Sequence, residues 1–141
     1  MITEDYVSFK IAKLLKEKGF DEECSYFYNN IDYGTPGLEV DGQLYYKNSA
    51  LDDEEYAAPT LQMAMKWLRE EKNFFIEIQC YGCEANEKAH FEYSYVIREY
   101  VTYNNEICKV VGLVQKHGKS RFNSYEEACE AAIKYCLENL V

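Results

Sequence analysis

The sequence predicts an α+β protein, a single domain spanning 1–141 in which three helices pack mainly on one face of an antiparallel sheet. Three observations carry that expectation. Segments within 3–18, 59–71 and 124–140 repeat apolar residues at helical spacing. FFIEIQC (74–80) and HFEYSYVIREYVTY (90–103) alternate with the two-residue period of strands. Turn formers, not helices, separate the strands of the second half, so they are expected to pair as a meander.

Taken in order, Thr3 can cap a first helix running to about Lys18, with Glu4 and Asp5 at the positive end of its dipole. Val7, Ile11, Leu14 and Leu15 form its apolar stripe. Gly19 is placed as the residue that ends it, and Phe20 as the apolar contact that follows. ECSYFY (23–28) reads as a short strand and NNIDYGTPG as a loop. Asp41-Gly42, between LEV and QLYY, favours a tight hairpin turn. NSALDDEEY is an acidic loop leading into the second helix.

Pro59 suits the first position of that helix, where no amide donor is needed. Leu61, Ala64, Met65 and Leu68 share one arc, and Trp67 stands at its edge as a lid over the core. In the next strand Phe74, Ile76, Ile78 and Cys80 lie on one face, opposite Phe75, Glu77 and Gln79. A loop then leads to a strand whose alternation breaks near Arg98-Glu99, where a bulge would restore it. Asn104-Asn105 turns the chain into a third strand over 106–115. Ser124 and Glu127 form a capping box for the last helix. Its apolar side is broad: Tyr125, Ala128, Cys129, Ala132, Ile133, Cys136 and Leu140. Such breadth means burial on all sides or pairing with a second copy, so a homodimer is compatible with it.

A net charge of −10 argues against a general nucleic-acid binder, because phosphate contacts need Lys and Arg. Lys109, Lys116, His117, Lys119 and Arg121 do cluster in sequence, a pattern that also blunts exposed strand edges. From Pro59 onward, helix, three strands and helix follow the order of a double-stranded-RNA-binding domain, but the acidic balance opposes that function. No nucleic-acid or membrane partner is expected. No apolar run approaches the ~20 residues of a membrane span, and the N-terminus lacks a secretory pattern, so the cytoplasm is the expected location. Fourteen tyrosines exceed what a small core needs and suit a binding surface.

Six cysteines, at 24, 80, 83, 108, 129 and 136, are expected to be reduced thiols, with Cys129 and Cys136 buried as small apolar residues. Cys80-Tyr-Gly-Cys83, placed on a strand-to-turn bend, has the spacing of half a zinc site. His90, Cys108 or His117 would complete it, giving Cys80, Cys83, His90 and Cys108 as the principal set. No cofactor other than that zinc is expected. There is no nucleophile elbow, no H-E-x-x-H and no P-loop, so no catalytic residue is assigned and the chain is not expected to be an enzyme. Asp52, Asp53, Glu54 and Glu55 lack the spacing of a calcium loop. With Tyr56 they are the interaction candidates.

AKLLKEKGFDEEC (12–24), YAAPTLQMAMKWLREEKNFFIEI (56–78) and SYEEACEAAIKYCLENL (124–140) together resemble a family of small acidic proteins from gut anaerobes and their phages and mobile elements. The shared pattern is K-E-K-G-F-D, then A-P-T before K-W-L-R-E, then I-E-I and a closing Y-E-E-A helix. It covers a little over a third of the chain and excludes the cysteine pair. The resemblance implies no activity, cofactor or catalytic residue. The expectation is therefore a non-catalytic cytoplasmic interaction or accessory protein of mobile-element origin, acting through an acidic, tyrosine-rich surface. The alternative is a small zinc- or nucleic-acid-associated module using Cys80 and Cys83.

Overall fold

A computed structural model describes residues 1–29, 38–40, 45–86, 88–103, 106–113 and 121–141; side chains at 85, 100–110, 112 and 113 lie outside that description. The α+β class holds, with antiparallel pairing in both sheets. The order is α1 (Phe9–Glu17), β1 (Tyr26–Asn29), β2 (Leu38–Glu39), β3 (Glu55–Ala58), α2 (Leu61–Glu71), β4 (Phe74–Ala85), β5 (Lys88–Tyr103), β6 (Glu106–Leu113) and α3 (Tyr125–Tyr135). A 3-10 turn occupies Asn48–Ala50, and a π-helical turn over Cys136–Leu140 extends α3. The chain divides into two compact units, residues 1–64 with Val141 and residues 65–140; the boundary falls within α2.

In the first unit, α1 begins later than expected from Thr3. Residues 5–7 are committed elsewhere: Tyr6 bridges Thr60, Val7 donates to the Pro59 carbonyl at 3.0 Å, and Asp5 accepts from the Leu61 amide at 2.9 Å. Ser8 caps the helix instead, its Oγ accepting from the Ile11 amide at 3.4 Å. Val7 is buried as expected, ahead of the helix rather than in it; Ile11 and Leu15 are buried within it. At the other end Gly19 has φ +91, Phe20 donates to Leu15 and Gly19 to Lys16, which is the paired bonding of a Schellman cap. Phe20 is then turned into the core.

β1 is the middle strand, between β2 and β3. Tyr28 and Phe27 pair with Leu38 and Glu39 on one side and with Tyr56 and Ala57 on the other. The anticipated turn at Asp41-Gly42 lies outside the described residues. Its flanks both pair with the β1 segment, Leu38 and Glu39 as above and Tyr46 with Cys24. Asn48 is buried and fully engaged: its Nδ2 donates to the Phe20 carbonyl at 2.7 Å and its Oδ1 accepts from the Ala57 amide at 2.9 Å. One side chain thus joins the end of α1 to β3.

Pro59 was expected to be the first residue of α2. It instead precedes the cap, because Thr60 Oγ1 accepts from the Met63 amide at 3.2 Å. Pro59 is buried and its carbonyl takes the Val7 amide. Leu61, Ala64, Met65 and Leu68 are buried as the arc predicts, and Trp67 is buried with them. Lys72 Nζ lies 5.1 Å from the Trp67 ring centroid.

In the second unit β4, β5 and β6 form the meander in that order. The loop expected after Cys80 is absent from 81–85: β4 runs on to Ala85, and the chain reverses between the paired residues Ala85 and Lys88, with Asn86 at φ 52. The shift near Arg98 is present, between Ile97 and Arg98 in the pairing with β6. α3 packs on β4 and β5, placing Tyr125 and Tyr135 against Tyr93 and Tyr95. Ser124 caps α3 as predicted; the reciprocal bond from Glu127 reaches the Asn123 amide rather than that of Ser124. Ala128, Cys129, Ala132, Ile133, Cys136 and Leu137 are buried within the single chain, whereas Tyr125 is 37% exposed.

Gly19→Ala should cost about 1 kcal/mol in urea unfolding, since no neighbour crowds the added methyl and only the left-handed backbone resists it. Asn48→Ala should cost more, about 2–4 kcal/mol, because it leaves the Phe20 carbonyl and Ala57 amide without these bonds. Trp67→Ala should cost about 3–5 kcal/mol in the same measurement.

Candidate functional site

The acidic run is a fastened turn. Asp52, Asp53 and Glu54 are exposed ahead of β3, and Glu55 and Tyr56 are its first, half-buried residues. The Glu55 amide donates to the Asp52 carbonyl at 3.0 Å, and the Asp52 amide donates to Glu55 Oε1 at 3.1 Å. Lys16, reaching across from α1, donates to the Asp52 and Glu55 carbonyls at 2.8 Å each. Its Nζ also lies 5.2 Å from the Tyr56 ring centroid, and Lys13 lies 6.0 Å from it. Phe9 meets Tyr56 and Tyr28 edge-on at 5.5 and 5.7 Å. Aromatic and cationic side chains therefore brace the turn, while three carboxylates project from it.

The tyrosines divide in kind. Tyr28, Tyr46 and Tyr95 are core residues. Tyr6 and Tyr26 pack edge-on at 4.9 Å and are half-buried. Tyr45, Tyr81 and Tyr125 are exposed.

Of the anticipated zinc ligands, the structure brings Cys83 and His90 together and separates Cys80. On a continuous strand, residues three apart point to opposite faces, so Cys80 and Cys83 cannot share a site from one face. Cys80 pairs with Tyr93, on the face that α3 covers; Cys83 pairs with His90 on the other. The Cys108 side chain and His117 lie outside the described residues, as do Lys116, Lys119 and the Lys109 side chain of the basic segment. Arg121 is described, and it faces the Cys83 cluster.

That cluster joins Glu92 and Arg121 to Cys83 and His90. Cys83 Sγ donates to Glu92 Oε2 at 3.3 Å, and His90 Nε2 is 3.3 Å from Glu92 Oε1. Arg121 Nη1 donates to Cys83 Sγ and to Glu92 Oε2, both at 3.4 Å, while its guanidinium lies 4.3 Å from the Tyr81 ring centroid. Tyr81 donates to Gln79, Gln79 to Glu77, and Arg98 to Glu77. A polar row thus runs along this face of β4 and β5. Burial, then the hydrogen bond to Glu92 and its charge, push the Cys83 thiol up against the opposing effect of Arg121. The bonds from Cys83 and then His90 hold the Glu92 carboxyl below its usual value. The described residues able to hold a metal here are Cys83, His90 and Glu92.

The signal that was available for Glu92 is the two-residue period. Extending β4 through Tyr81 and Cys83 and turning at Asn86 puts His90 and Glu92 on the Cys83 face. A bend at C-x-x-C would not carry this alternation; the continuous strand does.

Burial drives the Cys24, Cys129 and Cys136 thiols up to about 12, 11 and 12. Cys80 is exposed and Cys83 partly so. Alkylation of the native protein at pH 8 should modify Cys80 first, and Cys24, Cys129 and Cys136 only on unfolding; mass mapping of labelled peptides reads the order. The three raised values act on stability in the alkaline direction. Their contribution is complete below the free-thiol value of 9 and is lost as pH rises from there through 11–12, so the urea midpoint should fall over that window.

Comparison with protein-family models, with curated proteins and with solved structures finds no match to this chain.

Proposed function

We propose that this chain is a non-catalytic interaction or accessory protein that works in the cytoplasm and docks a basic protein segment through its acidic turn. One observation carries the reading: Asp52, Asp53 and Glu54 are exposed on a turn whose backbone is held by Lys16 and by its own hydrogen bonds. A surface already ordered loses less conformational entropy on binding, so charge complementarity is converted more fully into affinity. The net charge of −10 adds long-range attraction for a basic partner. Tyr56, half-buried against Phe9, Lys13 and Lys16, supports the turn. No helix among the described residues is long and apolar enough to cross a membrane. Mobile-element origin rests on the resemblance of the three sequence stretches alone.

Quantitative capture from a host lysate, comparing the wild type with the triple variant Asp52→Asn, Asp53→Asn, Glu54→Gln, tests this. The wild type should retain a basic partner at ~0.1 M salt and release it near 1 M, where screening acts over about 3 Å. The triple variant, equally stable to urea, should bind at least about tenfold more weakly. Equal capture by the two proteins, or no specific partner, would overturn the reading.

A further inference from the structure

On the face of the β4–β5 hairpin opposite α3, three side chains of different chemistry converge. Cys83 and His90 are direct cross-strand partners, and Glu92 stands two residues along β5 on the same face. Cross-strand neighbours have Cβ atoms about 4.5–5.5 Å apart, close enough for their ends to meet on one small ion. The sulfur, the imidazole nitrogen and a carboxylate oxygen all lie within 4.8 Å of one another. Two of these separations are shorter, with Cys83 Sγ to Glu92 Oε2 and His90 Nε2 to Glu92 Oε1 both at 3.3 Å.

Those distances can be set against what a metal requires. Around tetrahedral zinc, with bonds near 2.3 Å to sulfur and 2.0–2.1 Å to nitrogen or oxygen, adjacent ligand atoms are about 3.3–3.8 Å apart. Each oxygen of Glu92 is already at that spacing from one of the other two ligand atoms, Oε2 from Cys83 and Oε1 from His90, and bringing both to one ion takes rotation of an exposed and two partly exposed side chains. The scaffold beneath does not have to move, because the continuous pairing from Phe74 to Ala85 fixes both strands.

We infer that Cys83, His90 and Glu92 form a zinc site on this hairpin face, with the fourth position open. Zinc takes Cys83 as the thiolate, so the proton now shared with Glu92 is released to solvent on binding; a thiolate, an imidazole and a carboxylate together select zinc over the oxygen-seeking calcium and magnesium. His90 is exposed and Cys83 and Glu92 are partly so, which leaves the open position accessible to water or a small ligand. Arg121 is the competing cation. Its Nη1 lies 3.4 Å from both the thiol and the carboxylate, so zinc must displace those two bonds. The guanidinium also lies 4.3 Å from the Tyr81 ring centroid, a contact that involves neither of those two ligands. Cys80 takes no part, which separates this site from one built on the C-x-x-C spacing.

The test is zinc titration of the full chain, purified in chelator and reduced, by calorimetry and by competition with a chromophoric chelator. One equivalent should bind. Cys83→Ser, His90→Ala and Glu92→Gln should each weaken binding by at least about tenfold. Cys80→Ser should bind as the wild type does, and Arg121→Met should bind more tightly. Cobalt should give a thiolate charge-transfer band in the wild type and in Cys80→Ser, and none in Cys83→Ser. Unchanged urea midpoints would show that the variants remain folded. The absence of stoichiometric zinc, loss of binding in Cys80→Ser, or undiminished binding in both His90→Ala and Glu92→Gln would each overturn the site.

Discussion

The register between β4 and β5 is the constraint on which the second unit depends. Twelve successive pairs, from Phe74 with Glu99 to Ala85 with Lys88, assign every side chain of the arm to one face or the other. One face supplies Phe74, Tyr95 and Ile97 to the core, with Tyr93 and Tyr95 meeting aromatic rings of α3. The other carries Arg98 with Glu77, then Gln79, Tyr81, Cys83, His90 and Glu92, each hydrogen-bonded to or stacked on a neighbour of this face. The shift between Ile97 and Arg98 affects only the pairing with β6. It lets the third strand adjust without disturbing the pairs that sort the two faces.

The first unit is organised by a different device, in which single polar side chains tie backbone that regular pairing leaves over. Asn48 takes an amide from β3 and gives its own to the carbonyl of Phe20. Lys16 does the same at the surface, spending its charge on two carbonyls of the acidic turn rather than on a carboxylate. That choice leaves Asp52, Asp53 and Glu54 as exposed charges on a rigid base. A lysine pairing directly with one of them would have neutralised the feature it now holds in place.

Much of the fold was legible because its cues are local. Gly19 and Phe20 make the cap that their order predicts, Ser124 caps α3, and the α2 arc is buried position by position. The misplacements come from tertiary pairing that no local cue records. Thr3 looks like a cap, but residues 5–7 bond to 59–61, and only then does Ser8 take the role. The site was half legible. Cys83 and His90 were named from residue type, whereas Glu92 and Arg121 depend on register and on where Phe122 bridges Tyr93. The spacing of Cys80 and Cys83 pointed to a bend, and the continuous strand separates them.

That strand arm carries a consequence for how the molecule can change through descent. Because facing alternates residue by residue, losing one residue from each strand would exchange the two faces beyond the cut, moving Cys83 and His90 to the side where Cys80 now lies. Losing two from each would shorten the arm and leave the sorting of its remaining residues intact. Relatives of this chain are therefore expected to vary the reach of the arm in even steps, while its base, set by Phe74 and Ile97, keeps its pairing. The hairpin is a quantised extension on a fixed foundation.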